Sequence, residues 1–309
     1  MGEARYREAE RALWSATGVE PEEIWITLAR SGSKVRVLAV GEGPPVVFVH
    51  GATNGASSWA TLAARLPGHR CWLVDRPGCG LSEPTGTRLR NADALAGFAD
   101  DLVADVLDGL ELERVSLVGT SFGGYFVLRA AAAHPNRVDR LVTLSWSLGA
   151  PIERVAPAMR IAGVRSLGFL MARIPPSKAA VKGLLRQIGL RNAIDSGQFD
   201  ETALRWFRSL LRDTPTMRNE LDAAPPVVRP ITGLDEDLLL GDDTLQRISA
   251  PTLLIWGADD PQGGAATARA FAARIPGATL EIMVAAGHAP WMDDPGHVAK
   301  ALNRFLSPD

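Results

Sequence analysis

Residues 115–124 read Val-Ser-Leu-Val-Gly-Thr-Ser-Phe-Gly-Gly, and this stretch decides the fold. Residues 115–118 form a short apolar run, the pattern of a strand covered on both faces. Residues 122–133 continue as a helix. Between them lies Gly119-Thr120-Ser121-Phe122-Gly123, a serine with glycines two positions before and two after. A serine turning sharply from strand to helix sits in a strained backbone, and those glycines remove the side chains that would collide. Its hydroxyl then stands at the carboxyl end of the sheet, where open α/β sheets bind ligands. The helix amino terminus behind it favours developing negative charge. Gly-x-Ser-x-Gly as a bare string says little; framed by a strand and a helix, it predicts Ser121 as a nucleophile rather than a plain turn of small residues.

The same rhythm extends outward. Upstream, β-rich runs fall at 24–29, 35–40 and 46–49, a helical pattern at 59–66, a strand at 71–75 and a long amphipathic helix at 91–112, with Asn91 or Asp93 as N-cap. Downstream come a strand at 141–144, then, much later, strands at 252–256 and 279–284 and helices at 265–274 and 297–306. Strands alternating with helices predict a mostly parallel sheet of about eight strands with helices on both faces. An amino-terminal helix over 3–16 places Tyr6, Ala9 and Leu13 on one face, to be packed on the core.

The stretch 147–234 breaks this pattern. It is helical and interrupted by prolines, and it is expected to be a lid inserted into a core formed by 1–146 and 235–309. Residues 151–230 hold 13 Lys plus Arg against 7 Asp plus Glu, while the whole chain has a net charge of −2. A basic lid would draw anionic substrates toward a cleft, although exposed arginines on helices are also ordinary. Leu167, Phe169, Leu170, Met171, Trp206 and Phe207 are expected either to line an acyl pocket or to form the lid's own core.

A serine hydroxyl needs a base. Of five histidines, His50 closes the apolar run Val-Phe-Val, His69 lies in a turn, His134 ends a helix and His297 opens the last one. His288, in Ala-Gly-His-Ala-Pro-Trp, follows a strand and is expected at the same sheet edge as Ser121, as the base. The base needs an acid to hold its tautomer. Asp259 and Asp260 end the run Leu-Leu-Ile-Trp-Gly-Ala. Only one of the adjacent pair can point inward, and Asp260, three residues after Gly257, is preferred. No carboxylate follows the strand near Leu144, where Ser-Trp-Ser stands. Donors for an oxyanion are expected from the backbone N–H of Phe122 and from the loop after His50, at Ala52. His50 is expected to brace that loop, with a side-chain donor from Thr53 or Asn54 as the alternative to a simple Gly-Ala turn, and Cys79 without a catalytic role.

Several classes drop out. The near-neutral charge gives no footprint for nucleic acid. No run reaches the roughly 18 apolar residues of a membrane span. No His and Cys spacing suits a metal, and no phosphate or dinucleotide motif stands in strand–helix context, so no cofactor is expected. Two cysteines, Cys71 and Cys79, are read as free thiols, which together with the absence of a signal-like start leads to the expectation of a soluble cytoplasmic protein acting on a small molecule.

His50-Gly51, residues 75–82 (DRPGCGLS), 119–124 (GTSFGG), 256–261 (WGADDP) and 287–291 (GHAPW) together resemble the α/β-hydrolase superfamily over nearly all of the chain outside 147–234. The resemblance implies an eight-stranded, mostly parallel sheet, a lid after the sixth strand, and cofactor-free hydrolysis through an acyl-enzyme, with Ser121 as nucleophile, Asp260 as acid and His288 as base. Members with Asp at the nucleophile position are dehalogenases or epoxide hydrolases, and Ser121 argues against both. The elbow is similar to those of esterases and of hydrolases that cleave carbon–carbon bonds in ring-fission products. His-Gly-Ala-Thr-Asn-Gly at 50–55 departs from the HGGG and HGxGPG strings of those narrower groups. The leading expectation is hydrolysis of a small or medium carboxylic ester. The alternatives are carbon–carbon hydrolysis of a diketone-type acid, with Arg154, Arg160 or Arg205 as carboxylate clamps, and a non-hydrolytic lyase, oxygenase or binding protein on the same fold.

Overall fold

The structure is a computed structural model that describes residues 2–86, 89–164, 166, 170, 177–223, 227–229, 231 and 233–307. Eight strands form one sheet: β1 (Glu22–Thr27), β2 (Lys34–Val40), β3 (Pro45–Val49), β4 (Arg70–Val74), β5 (Val115–Thr120), β6 (Val138–Ser147), β7 (Thr252–Gly257) and β8 (Thr279–Met283). Their spatial order is β1-β2-β4-β3-β5-β6-β7-β8. β2 pairs antiparallel with β1 and β4, and every other neighbouring pair is parallel. The central strand β5 is buried along its whole length, whereas edge strands β1 and β8 carry exposed or half-buried polar residues. Strands covered on both faces read as continuous apolar runs, and edge strands do not.

The helices are α1 (Gly2–Ser15), α2 (Ala92–Gly109), α3 (Ser121–Ala133), α4 (Pro157–Ala162), α5 (Lys178–Gln187), α6 (Arg191–Asp195), α7 (Glu201–Asp213), α8 (Thr216–Ala223), α9 (Ala265–Ala272) and α10 (Pro295–Leu306). One apolar core packs α2, α3 and α9 on one face of the sheet. The other packs α1, α10 and the apolar sides of α5 and α7 on the opposite face. Asn91 caps α2 by accepting from Ala94 N–H at 2.9 Å. The chain between β6 and β7 includes α4 to α8 and one two-residue antiparallel ladder.

Three local expectations shift. Trp14 and Glu10 join Tyr6 and Ala9 on the buried side of α1, while Leu13 is half-buried and packs against the same core. The 59–66 segment is a 3-10 turn (Ala56–Trp59) running into one helical turn (Ala60–Ala63). β6 runs to Ser147 rather than stopping near Leu144. Its last residues include two serines, poor signals of a strand, and Ser145 and Trp146 are held by Asp260 from a distant part of the chain. Cys71 and Cys79 are both buried and not disulfide-bonded. Among the described residues no helix is long and apolar enough to cross a membrane, and no group of three or more His, Cys, Asp or Glu is placed to hold a metal ion.

Candidate functional site

Ser121 is the first residue of α3 and has φ 53°, a left-handed conformation that costs a non-glycine residue about 1–3 kcal/mol. The flanking glycines make the turn sterically feasible. A Cβ on Gly119 would stand 2.5 Å from Val127 Cγ2, and one on Gly123 would stand 2.1 Å from the carbonyl oxygen of Val49. Gly51 comes equally close, since a Cβ there would lie 2.9 Å from Ser121 Cβ. Ser121 is half-buried while the residues on either side of it are buried, so the hydroxyl is the part of the turn that meets a cavity. Among the described residues, the left-handed non-glycines are Thr53, Glu111, Ser121 and Ser145. Three of them surround this one point, as strain tends to cluster at functional sites.

His288 follows β8 and places Nδ1 2.8 Å from Asp260 Oδ2. Asp260 follows β7, its side chain fully buried. Its Oδ2 also accepts from the Ser145 hydroxyl at 2.5 Å and from the Trp146 N–H at 3.0 Å, while Oδ1 accepts from the Gln262 N–H at 2.9 Å. Burial by itself raises the carboxyl, but the His288 imidazole and then the Ser145 and Gln262 donors outweigh it and hold Asp260 below the usual carboxylate range. An ionised acid of this kind fixes the imidazole with Nδ1 protonated and Nε2 free to accept. Asp259 is exposed and stands in a separate polar cavity, so of the adjacent pair Asp260 is the one against the imidazole. Ser145 is the residue that sequence reading passed over: the absence of a carboxylate after β6 hid the fact that a hydroxyl there holds the acid from the other side. Its φ of 67° is the backbone distortion that turns it inward.

The His288 loop is anchored by Trp291, whose ring lies 4.6 Å from that of Trp59 and whose Nε1 donates to the Ser58 carbonyl at 3.2 Å. Among the described residues no hydrogen bond joins Ser121 Oγ to His288; both side chains line one cavity, and such pairs commonly tighten only when substrate is bound. The other histidines are occupied elsewhere. His297 pairs with Glu281 and His134 lies 3.7 Å from Asp101, while His69 is buried in its turn.

His50 is fully buried; its Nδ1 donates to the Gly51 carbonyl at 2.8 Å and its Nε2 accepts from the Arg76 N–H at 3.1 Å. Burial, then the adjacent Arg76, pushes its pKa well below the ordinary histidine value, so it stays neutral. The Arg76 guanidinium, only 4% exposed, reaches the carbonyls of His50 and Gly51 at 3.0 Å each and lies 4.8 Å from the Phe122 ring centre. Glu220, on α8, completes the arrangement. It accepts from Arg76 at 2.7 Å, from the Cys79 thiol at 3.0 Å and from the Thr53 N–H at 3.1 Å. One carboxylate therefore ties the helical segment to the loop beside Ser121. Nothing in the sequence around Glu220 announces this, because its partners lie at positions 53, 76 and 79. The bond from Thr53 commits that N–H elsewhere. The N–H of Ala52 has no acceptor among the described residues, and the N–H of Phe122 belongs to the first turn of α3, where helices leave donors unpaired.

Two adjoining cavities meet at Ser121. One, of about 180 Å³, runs under α5 and α7 and is lined by Trp146, Leu185, Phe207, Met217 and His288, among others. The second, of about 140 Å³, lies toward α8 and the ladder at Val228. Both have mainly apolar walls, Ala52 and Thr53 border both, and neither is lined by Lys or Arg among the described residues. Phe207 thus faces the cavity, Trp206 packs in the core with α1, and Leu170 is exposed. Leu167, Phe169 and Met171 lie outside the described residues. The arginines expected as clamps are not at Ser121: Arg205 pairs with Glu8 at 2.6 Å on the surface, Arg160 donates to the Ile231 carbonyl, and Arg154 lines the polar cavity beside Asp259.

An eight-stranded sheet of this order, with a strained serine elbow at its centre, defines an α/β-hydrolase architecture. The chain belongs to the alpha/beta hydrolase family, whose sequence profile matches residues 46–301. It is 30% identical, over 84% of its own length and 84% of the other, to 2-hydroxy-6-oxononadienedioate/2-hydroxy-6-oxononatrienedioate hydrolase of Cupriavidus pinatubonensis. Its fold matches carboxylesterase CesB of Bacillus subtilis with a TM-score of 0.75 at 21% identity, covering 99% of this chain and 98% of that one. It matches the 2-hydroxy-6-oxo-6-phenylhexa-2,4-dienoate hydrolase of a Rhodococcus species with a TM-score of 0.75 at 20% identity, covering 93% and 99%. The protein is a hydrolase of this family.

Proposed function

We propose that the protein hydrolyses a carboxylic ester with an apolar acyl group, through an acyl-enzyme on Ser121. The observation that supports this reading is the pair of apolar cavities that flank the serine, lined by no Lys or Arg among the described residues. A substrate with a carboxylate at each end would have to bury charge unpaired in that space.

In this reading Ser121 Oγ attacks the ester carbonyl carbon while His288 Nε2 takes its proton. The carbonyl oxygen becomes an oxyanion facing the N–H groups of Phe122 and Ala52. The carbon–oxygen bond to the alcohol breaks as His288 returns the proton to the departing oxygen. Water, deprotonated by His288, then attacks the acyl carbon, the bond to Ser121 Oγ breaks as His288 returns the proton to that oxygen, and the acid leaves. Asp260, ionised, holds the imidazole and stabilises its cation, while Ser145 and Glu220 position the acid and the loop. Residues 147–234 act as the lid, closing the apolar cavities with α5, α7 and α8.

The second reading is carbon–carbon hydrolysis of a 2-hydroxy-6-oxo-dienoate, which the names of two relatives favour. The test is turnover of phenyl butyrate and of a 2-hydroxy-6-oxo-dienoate, each with wild type and Ser121→Ala. Ester turnover that vanishes in the variant supports the first reading. Exclusive turnover of the dienoate replaces it with the second.

A further inference from the structure

A third cavity, of about 440 Å³, lies outside the apolar pair, on the His288 side of the site. Its wall includes Arg154, Arg186 and Arg191 from the helical segment, with Asn192, Asp259 and Gln262. Arg186 is engaged with Asp195 at 2.6 Å. Arg154 and Arg191 are exposed and take part in no ion pair among the described residues. The described wall thus holds three arginines and one carboxylate, Asp259, with Asp195 paired to Arg186. The balance is positive, and two of the cations are uncommitted. Planar guanidinium groups set in one wall suit a carboxylate or a phosphate, each able to accept paired hydrogen bonds.

Gln262 makes the connection to the chemistry. It lines both this cavity and the apolar cavity at Ser121. The residue is 4% exposed, and its side-chain Oε1 is buried without a hydrogen-bond partner among the described residues. Buried amides without partners are uncommon in folded proteins and call for an explanation. An amide at the boundary between an apolar and a cationic space is placed to meet the polar middle of a ligand that spans both. The side also matters. In ester hydrolysis the base returns its proton to the departing alcohol, so the alcohol portion lies toward His288. The cationic cavity, walled by Gly287 and Pro261, lies on that side.

We infer that Arg154 and Arg191 form an anion subsite for the alcohol portion of the substrate, so that the ester carries a carboxylate or phosphate on its leaving group. This deepens the ester reading and rests on it. It also reconciles the basic helical segment with apolar cavities: the charge binds beside the reacting bond, not around it.

The test uses three esters that share one acyl group: phenyl butyrate, 4-butyryloxybenzoate and 4-butyryloxyphenyl phosphate. Each is assayed with wild type and with Arg154→Ala/Arg191→Ala. The ratio between the two enzymes for each ester cancels the intrinsic reactivity of its leaving group. The double variant is expected to raise KM about tenfold for one or both anionic esters, the scale of a lost charged contact, and to change phenyl butyrate less than twofold. Loss on the carboxylate ester alone assigns a carboxylate, and loss on the phosphate ester alone assigns a phosphate. Equal losses on all three esters, or none on the anionic pair, overturn the subsite. If wild type turns over none of the three, the ester reading fails by itself. The subsite is then judged by calorimetric titration with benzoate and inorganic phosphate: binding by wild type that the double variant loses supports it, and no binding, or equal binding, overturns it.

Discussion

Two buried ionic networks sit on opposite sides of the loop at 50–55, and they differ in one respect. Under α1, Arg36 is 2% exposed and meets Glu10, Glu23 and Asp75, with Asp75 also accepting from Ala56 N–H at 2.7 Å. Ser57 and Tyr6 donate to Glu10. Apart from Glu23, which is exposed, this network is buried with its charged groups partnered, and burial sets its tone: it raises the Asp75 carboxyl even against the pull of Arg36. At the other network, Asp260 is saturated in the same way, but the histidine it holds has one ring edge turned to a cavity. A network whose charged groups are all committed to one another can only hold the chain together. One that leaves a single nitrogen uncommitted is equipped to move a proton. The buried charge is common to both; the open edge is what differs.

That contrast can be broken experimentally. The largest effect belongs to Ser121→Ala, expected to lower kcat/KM by about 10³-fold or more while leaving Tm nearly unchanged. A fall in Tm matching the loss of activity would mean that the open network is structural too. Next is Arg36→Ala, which strands two buried carboxylates, Glu10 and Asp75, while the exposed Glu23 keeps Arg7. Removing one partner of a buried ion pair costs about 3–5 kcal/mol, so the midpoint of urea unfolding should drop sharply, with activity of the remaining folded fraction preserved. Altered KM or pH dependence in that fraction would show that the two networks communicate.

Glu220→Gln weakens the tie between α8 and the loop at Thr53. About a tenfold drop in kcat is expected, with KM within twofold, the signature of an interaction that matters at the transition state. A change confined to KM would assign Glu220 to substrate binding instead. Ser145→Ala removes one of the donors on Asp260 and should cost about 1 kcal/mol, or several-fold in kcat, since the Trp146 N–H remains.

The smallest effect concerns Asp293, beside the His288 loop. Its Oδ2 accepts from the Gly287 N–H at 2.8 Å, and its Oδ1 is buried. Burial raises its pKa to about 6, against the opposing backbone N–H groups of Gly287 and Ala193 and with Asp259 adding to the rise. A carboxyl raised in the folded state favours folding most at low pH, below its unfolded value, and loses that contribution as pH rises through about 6. Asp293→Asn keeps a neutral acceptor. It should therefore be more stable than wild type by about 1 kcal/mol at pH 8, allowing for solvent screening, and no more stable at pH 4. Thermal melts across that range check it, and an advantage independent of pH would contradict the assignment.

How much of this was legible before the structure depends on how local each feature is. The turn at Ser121 is written within a few residues: an apolar run, two spaced glycines and a helix leave the chain one way through. The alternation of strands and helices, and the break after β6, are likewise set by short-range pattern, because strand and helix periods differ and turn residues punctuate them. His288 could be singled out because few histidines fall at the right edge of a sheet. Asp260 could be preferred as the acid from its place after a strand and its distance from Gly257, but the hydroxyl of Ser145 behind it and the carboxylate of Glu220 under the loop were not legible in the same way. Ser145 meets Asp260 across 115 residues, and Arg76 meets Glu220 across 144. Which arginines of a basic segment share one cavity, and which pair off on the surface as Arg205 does with Glu8, also waits on the packing. Local steric and periodic rules act along the chain, so the sequence determined the fold class and the elbow by itself. Contacts between distant residues form only when burial removes water and forces each polar group to find a partner, so the tertiary structure alone decided the surroundings of the site.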